Sequence, residues 1–186
     1  MPSPPPLLAV LEGPRARLRP FRASDAAAFA ALNADPEVMR HFAAPLSRAE
    51  SDAFLARILA NPAETGFMAV EERATGAFAG LCGLARVPWP PLAGEVEIGW
   101  RLAPAFQGRG LATEAARLAL AHALGPLGIA RVVAFTVPAN ERSWRLMERV
   151  GMTRVGAFEH PRLPEGHPLR PHVLYEVRRP AAGRTG

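Results

Sequence analysis

The sequence predicts a mixed α/β domain, one sheet with helices on both faces. Three observations carry this. Strand-like and helix-like runs follow in the order β-α-α-β-β-β-α-β-α-β-β, which gives a sheet flanked by helices. Apolar residues make up 49% of 186, enough for a single buried core and too many for a disordered chain. A glycine-rich segment, Gln107-Gly108-Arg109-Gly110-Leu111-Ala112, stands between a strand-like run and a helix-like run. Such a junction aims backbone N–H groups and the positive helix end at one spot and suits an anion, most often a phosphate.

The elements follow in chain order. Residues 16–21 read as a first strand. Ser24 and Asp25 read as the cap of a helix over 26–33, and Asn33-Ala34-Asp35-Pro36 as a break. A second helix starts at Ser47, with Glu50 three residues on as a capping box, and runs to about Leu59 before Asn61-Pro62 ends it. Strands over 66–71 and 77–86 are joined by a hairpin signal, Ala74-Thr75-Gly76. Pro88-Trp89-Pro90-Pro91 marks a loop before the fourth strand, 95–102. A helix over 111–124 carries Leu111, Ala115, Leu118 and His122 on one stripe, and Gly125-Pro126 stops it. The fifth strand, 131–137, is of a buried type. Asn140 caps a short helix through Arg149, with Gly151 where a C′ glycine belongs. Strands over 152–158 and 172–177 close the chain around a proline-rich excursion, 161–171.

The termini, 1–14 and 180–186, read as flexible tails around a single domain over 15–179. No apolar run reaches membrane-spanning length and no signal-peptide pattern opens the chain, so a cytoplasmic protein is expected. The single cysteine, Cys82, excludes an internal disulfide and a cysteine-based metal cluster, and no His/Asp/Glu spacing suggests a metal. The net charge is +5 and all 22 basic residues are arginine. The absence of lysine excludes Schiff-base and pyridoxal-phosphate chemistry and the P-loop lysine. Any phosphate must be held by arginine or by backbone. The arginines are scattered and only three Trp and one Tyr accompany the sequence, so no nucleic-acid surface is expected.

The fourth strand adds a second clue. Val96, Ile98, Trp100 and Leu102 share one face; Glu95, Glu97, Gly99 and Arg101 share the other. A central strand between helix layers is apolar on both faces. Two carboxylates on one face therefore mean a wet cleft or a sheet edge.

The element order, with Gln107, Gly110 and Ala112 matching a Gln/Arg-x-x-Gly-x-Gly/Ala loop, resembles the GNAT superfamily of acetyl-coenzyme A-dependent N-acetyltransferases. Three further stretches look like the branch containing ribosomal-protein N-terminal (alanine) acetyltransferases. They are Glu97-Ile98-Gly99-Trp100-Arg101-Leu102, Asn140-Glu141-Arg142-Ser143, and Glu148-Arg149-Val150-Gly151-Met152. Phe158-Glu159-His160-Pro161 and His172-Val173-Leu174-Tyr175 are similar to endings of that branch. The resemblance covers residues 16–178. It implies the GNAT fold: a mixed, mostly antiparallel central sheet, helices on both faces and a splay between strands four and five.

The resemblance also implies a site. Amides of Gly108, Arg109, Gly110, Leu111, Ala112 and Thr113 would bind the pyrophosphate of acetyl-coenzyme A, flanked by the Gln107 and Arg109 side chains. Leu102 would pair with the pantetheine arm, and Asn140 would reach its amide. The fourth strand is central in this family, so its carboxylate face lines a cleft. Glu97 is then the candidate general base and Glu95 the second choice; the other reading pairs Glu97 with Arg101. Met147 stands where the wider superfamily often has a Tyr to protonate the leaving thiolate, and Ser143 is the replacement candidate. Tyr175 either reaches the site or packs. His160 either walls the acceptor pocket or anchors a loop; His122 and Cys82 read as core.

The activity implied is direct acetyl transfer to a primary amine, a protein N-terminus or a small molecule, by a monomer or homodimer. Acetyl-coenzyme A is the co-substrate, and neither a nucleic acid nor a membrane is a partner. An acyl-coenzyme A-binding module with little turnover is the alternative.

Overall fold

The structure, a computed structural model, describes residues 9–61 and 65–180. Eight strands form one sheet: β1 (Leu11–Glu12), β2 (Ala16–Arg19), β3 (Thr65–Glu72), β4 (Phe78–Arg86), β5 (Val96–Leu102), β6 (Arg131–Thr136), β7 (Thr153–Glu159) and β8 (Pro171–Arg178). Their spatial order is β1-β2-β3-β4-β5-β6-β8-β7. Every neighbouring pair is antiparallel except β5 and β6. The helices are α1 (Ala26–Ala34), α2 (Pro36–Met39), α3 (Arg48–Ala60), α4 (Leu111–Leu124) and α5 (Glu141–Arg149).

Alternation along the strands sorts side chains to two cores. Met68, Cys82, Leu84, Ile98 and Val132 pack toward α4. Phe21, Ala69 and Leu81 pack against Phe29 and Leu32 of α1 and Leu55 and Ile58 of α3. Helices therefore cover both faces, as the element order predicts.

The parallel pair decides where a site can exist. β5 and β6 are in register only at Val96↔Val132 and Glu97↔Val133. Beyond them β5 stays with β4 to Leu102 and β6 stays with β8 to Thr136, so the sheet opens as a V. A cleft of about 1890 Å³ occupies that opening.

Several local expectations change. The capping box at Ser47 is present: Glu50 N donates to Ser47 Oγ at 3.3 Å and Ser47 N donates to Glu50 Oε2 at 2.8 Å. Asp25 does not cap α1 with its side chain. It ends a single 3-10 turn and is buried against Arg19, at 2.8 and 2.9 Å from the guanidinium. The expected break at 33–36 narrows to Asp35: α1 runs to Ala34, and a short helix, α2, starts at Pro36 because Asp35 accepts from the amides of Glu37 and Val38 and Pro36 suits a first helical position. The buried stripe of α4 is Leu111, Ala115, Ala116, Ala119, Leu120 and Ala123, with Leu118 and His122 at its margin. Small alanines let this helix lie close on the sheet.

The first strand begins earlier than expected. Leu11–Glu12 pairs with β2, and Gly13 N bonds Ala16 O at 2.9 Å, so residues 11–14 of the expected tail belong to a hairpin. The rest of that tail at 1–8, the helix-ending Pro62, and the closing tail at 181–186 lie outside the described residues. No helix among the described residues is long and apolar enough to cross a membrane.

Candidate functional site

The glycine-rich loop is built for a backbone cradle. Gly108 and Gly110 hold φ of +72° and +78°, a left-handed conformation that side chains disfavour. Gly110 is the residue before α4 and donates no side-chain cap. Among the described residues, none of the six amides from Gly108 to Thr113 donates to a protein acceptor. Six such N–H groups at the positive end of a 14-residue helix, at the mouth of the cleft, have the chemistry that suits a phosphate or diphosphate.

The side chains around this loop are placed differently from expectation. Arg109 turns away from the cleft and pairs with Glu72 of β3. Gln107 is a strut: its Nε2 donates to Leu102 O at 2.9 Å and its Oε1 accepts from Arg142 Nη1 at 3.0 Å. It ties the end of β5, at the carbonyl of Leu102, to the first turn of α5. The cation beside the loop is instead Arg15. Its Nη1 approaches Arg109 O at 3.5 Å, and a Cβ on Gly110 would stand 3.1 Å from it. Glu114 holds this arginine in place, with Oε2 at 2.9 Å from Arg15 Nε and Oε1 accepting from the amides of Arg15 and Ala16. Arg15 and Arg142 were missed in the sequence. Their partners lie 99 and 35 residues away in the chain, so no local pattern marks them.

Glu97 lines the cleft on the face of β5 that looks toward α1 and α3. Among the described residues its carboxylate has no hydrogen bond and no ion pair. Gly99, two residues on, leaves room beside it: a Cβ there would lie 3.9 Å from Glu97 Oε1. Burial pushes the Glu97 carboxyl up to about 8, and the Arg162 charge opposes this only in part. A half-buried carboxyl poised near neutral pH suits a general base.

The competing carboxylates are engaged elsewhere. Glu95 sits 2.6 Å from Arg131, which also grips Glu176 at 2.6 Å. Glu159 lies 3.2 Å from Arg170. Arg101 does not pair with Glu97. Its guanidinium bonds Asn33 Oδ1 and stacks 4.3 Å over the Phe42 ring, and burial pushes it down to about 10. Asn33 Nδ2 reaches Ser51 Oγ at 2.9 Å, so this group clamps α1, α3 and β5 together beside the cleft.

On the opposite wall, Asn140, Ser143 and Met147 of the β6–α5 junction line the same cleft. Asn140 is the N-cap residue of α5, accepting from Ser143 N through its carbonyl, but its side chain makes no capping bond. Its Nδ2 donates to Thr136 Oγ1 at 3.0 Å, leaving Oδ1 with no partner among the described residues. Ser143 Oγ is likewise free among them. Tyr175 is buried, does not line the cleft, and donates to Glu148 Oε1 at 3.1 Å, which makes it a packing residue. Cys82 is fully buried and its thiol is pushed up to about 12, so it offers no nucleophile.

Comparison with known proteins agrees with this geometry. The family described as "Acetyltransferase (GNAT) domain" matches residues 15–153. The chain is 33% identical over 81 residues to the uncharacterized N-acetyltransferase YnaD of Bacillus subtilis, covering 44% of this chain and 47% of that protein. It is 34% identical over 135 residues to the FsC-acetyl coenzyme A-N(2)-transacetylase of Aspergillus fumigatus, covering 68% and 57%. The chain thus spans about half the length of these two curated relatives. Among solved structures, a GNAT-family acetyltransferase from Bacillus anthracis superposes with a TM-score of 0.80 at 22% identity, over 92% of this chain and 99% of the other. The ribosomal-protein-S5-alanine acetyltransferase of Vibrio fischeri does so with 0.69 at 16%, over 93% and 98%, a likeness of fold alone. The open V between β5 and β6, the free-amide loop before α4 and the family match over most of the chain lead to one conclusion: this chain belongs to the GNAT acetyltransferases.

Proposed function

We propose that this chain transfers an acetyl group from acetyl-coenzyme A to a primary amine by direct attack. The observation that carries the reading is the row of six free amides at the mouth of a cleft that also holds an unpaired carboxylate. When bound, acetyl-coenzyme A would supply the acetyl group as an activated thioester. The amides from Gly108 to Thr113 would hold its diphosphate, with Arg15 adding the nearest positive charge. Asn140 Oδ1 offers an acceptor for an amide N–H of the pantetheine arm. Glu97 takes the proton that the arriving ammonium must lose before its lone pair can attack. Ser143 Oγ is a free hydroxyl on the α5 wall and would hydrogen-bond the departing sulfur. No covalent acyl-enzyme is required, because the one thiol is buried.

Thiol release from acetyl-coenzyme A across an amine and peptide panel tests this, with mass spectrometry of the product. One N-acetylated product per thiol is expected. Tight coenzyme A binding with no release for any amine would instead mean an acyl-coenzyme A-binding module, a reading that Met147 at the usual Tyr position favours.

Gly110→Val tests the cradle by itself. The positive φ disfavours any side chain, and a Cβ would enter the space before Arg15. The KM for acetyl-coenzyme A is expected to rise by about tenfold or more. An unchanged KM would remove the diphosphate from this loop.

A further inference from the structure

We propose that an aromatic wall across the V from Glu97 is the acceptor subsite. It would take a primary amine carrying an aromatic ring, or a branched apolar group of similar size, roughly three bonds from the nitrogen. This rests on the acetyl-transfer reading above and names its acceptor class.

The wall is made of five rings: Trp89, Phe135, Phe158, His160 and His172. Neighbouring centroids lie 4.6–6.4 Å apart, as in a packed aromatic cluster. Yet all five rings are only half-buried. Trp89, Phe135, His160 and His172 line the same cleft as Glu97. Apolar rings that meet one another and still face an open cleft await a further apolar group.

Strand register places that group relative to the base. Val133 is in register with Glu97, so their side chains share one face of the sheet. Phe135 is two residues further along β6 and points to that same face. On β8, His172 shares a face with Leu174, the register partner of Phe135, and Phe158 pairs with His172. The wall therefore begins about 7 Å, two residue rises, from the row of Glu97. An amine at the carboxylate with a ring on the wall spans this distance with a short linker, as in an aryl-alkylamine or in a peptide whose first residue is aromatic. A methylamine-sized acceptor would leave the wall bare.

The electrostatics agree. Burial holds both His160 and His172 below the usual imidazole value, and for His160 the neighbouring His172 and Arg162 add to this. Neither imidazole therefore adds much to the positive charge of Arg162, which lines the same cleft.

The test compares 2-phenylethylamine with ethylamine, and a peptide beginning with Phe with one beginning with Gly, by kcat/KM for thiol release. The aromatic member of at least one pair is expected to be preferred by about tenfold or more. Whichever pair responds tells a small amine from a peptide N-terminus. Phe135→Ala and the gentler Trp89→Leu are expected to shrink that ratio toward one, a change that a general loss of folding does not produce. Saturation-transfer NMR reads binding independently: the phenyl protons are expected to respond with wild type plus coenzyme A and to fall silent with Phe135→Ala. Equal rates within both pairs would overturn the subsite while leaving acetyl transfer intact. Binding of 2-phenylethylamine with no thiol release from any amine or peptide would keep the subsite and sink the transfer reading. Neither binding nor preference, or a wild-type dimer that Phe135→Ala converts to monomers, would overturn the subsite, the dimer by giving the wall to a second copy of the chain.

Discussion

Glu97→Gln is expected to lower kcat/KM for the proposed acetyl transfer by about a hundredfold or more, because it removes the carboxylate proposed to accept the amine's proton. The wild-type kcat/KM is expected to rise with pH through about 8, where the folded-state Glu97 ionises. The variant should lack that limb. An unchanged limb in Glu97→Gln would move the proton to the amine itself or to water.

The same substitution is expected to stabilise the protein at high pH. Glu97 ionises near 4.5 in the unfolded chain and near 8 in the folded one, so the folded state binds this proton more tightly. Its stabilising contribution is complete below pH 4.5 and is lost as pH rises through 8. Gln carries no such proton, so the Tm of Glu97→Gln relative to wild type should climb between pH 5 and pH 9. A faster wild type that is less stable than its inactive variant is the signature of a carboxyl kept for function.

Arg19→Met is expected to cost about 3–5 kcal/mol of stability at pH 7. Arg19 is only 6% exposed, and it pairs with Asp25 (6%) at 2.8 Å and with Glu71 (10%) at 2.7 Å. Met replaces the volume but strands two carboxylates in a nearly dry site, with Arg17 at 3.3 Å from Glu71 as a partial substitute. Burial alone would raise the Asp25 carboxyl, but bonds from Arg19 and from the Arg22 amide outweigh it and hold it below the ordinary value. The Arg19 bond is the main reason Glu71 sits low. Both contributions are present above the unfolded carboxylate range and are lost as pH falls through the lower folded values. The deficit of Arg19→Met, read by urea unfolding, should therefore be largest at neutral pH and narrow only as pH falls below about 4, through the lowered folded values. A deficit below about 1 kcal/mol at pH 7 would show that the cluster contributes no more than an exposed ion pair.

Legibility in the sequence follows the range of the interaction. The Ser47–Glu50 box, the helix after Gly110 and the alternation in 96–102 are set within a few residues, and all three are found in the structure. The pairing of Asp25 with Arg19 shows the opposite case. A residue type that reads as a helix cap was taken by a buried guanidinium six positions back, once β2 and the first turn had met. Arg109 shows it for the candidate site: it sits in the loop that the sequence marks, but Glu72, 37 residues earlier, claims its side chain.

By itself the sequence determined the mixed α/β class, the order of its longer elements without β1 and α2, and the glycine turn before α4, since turn chemistry, periodicity and glycine conformation act locally. It narrowed the acidic face of β5 to two candidate carboxylates. Only the tertiary structure distinguishes their surroundings: Glu95 pairs with Arg131, while Glu97 has no hydrogen bond or ion pair among the described residues and lines the opening of the V. Only the tertiary structure gathered Trp89, Phe135, Phe158, His160 and His172 into one wall from separate segments of the chain. Long, charged side chains and distant rings are assigned by which strands lie side by side, and strand neighbours far apart in sequence are decided by the packing of the whole sheet.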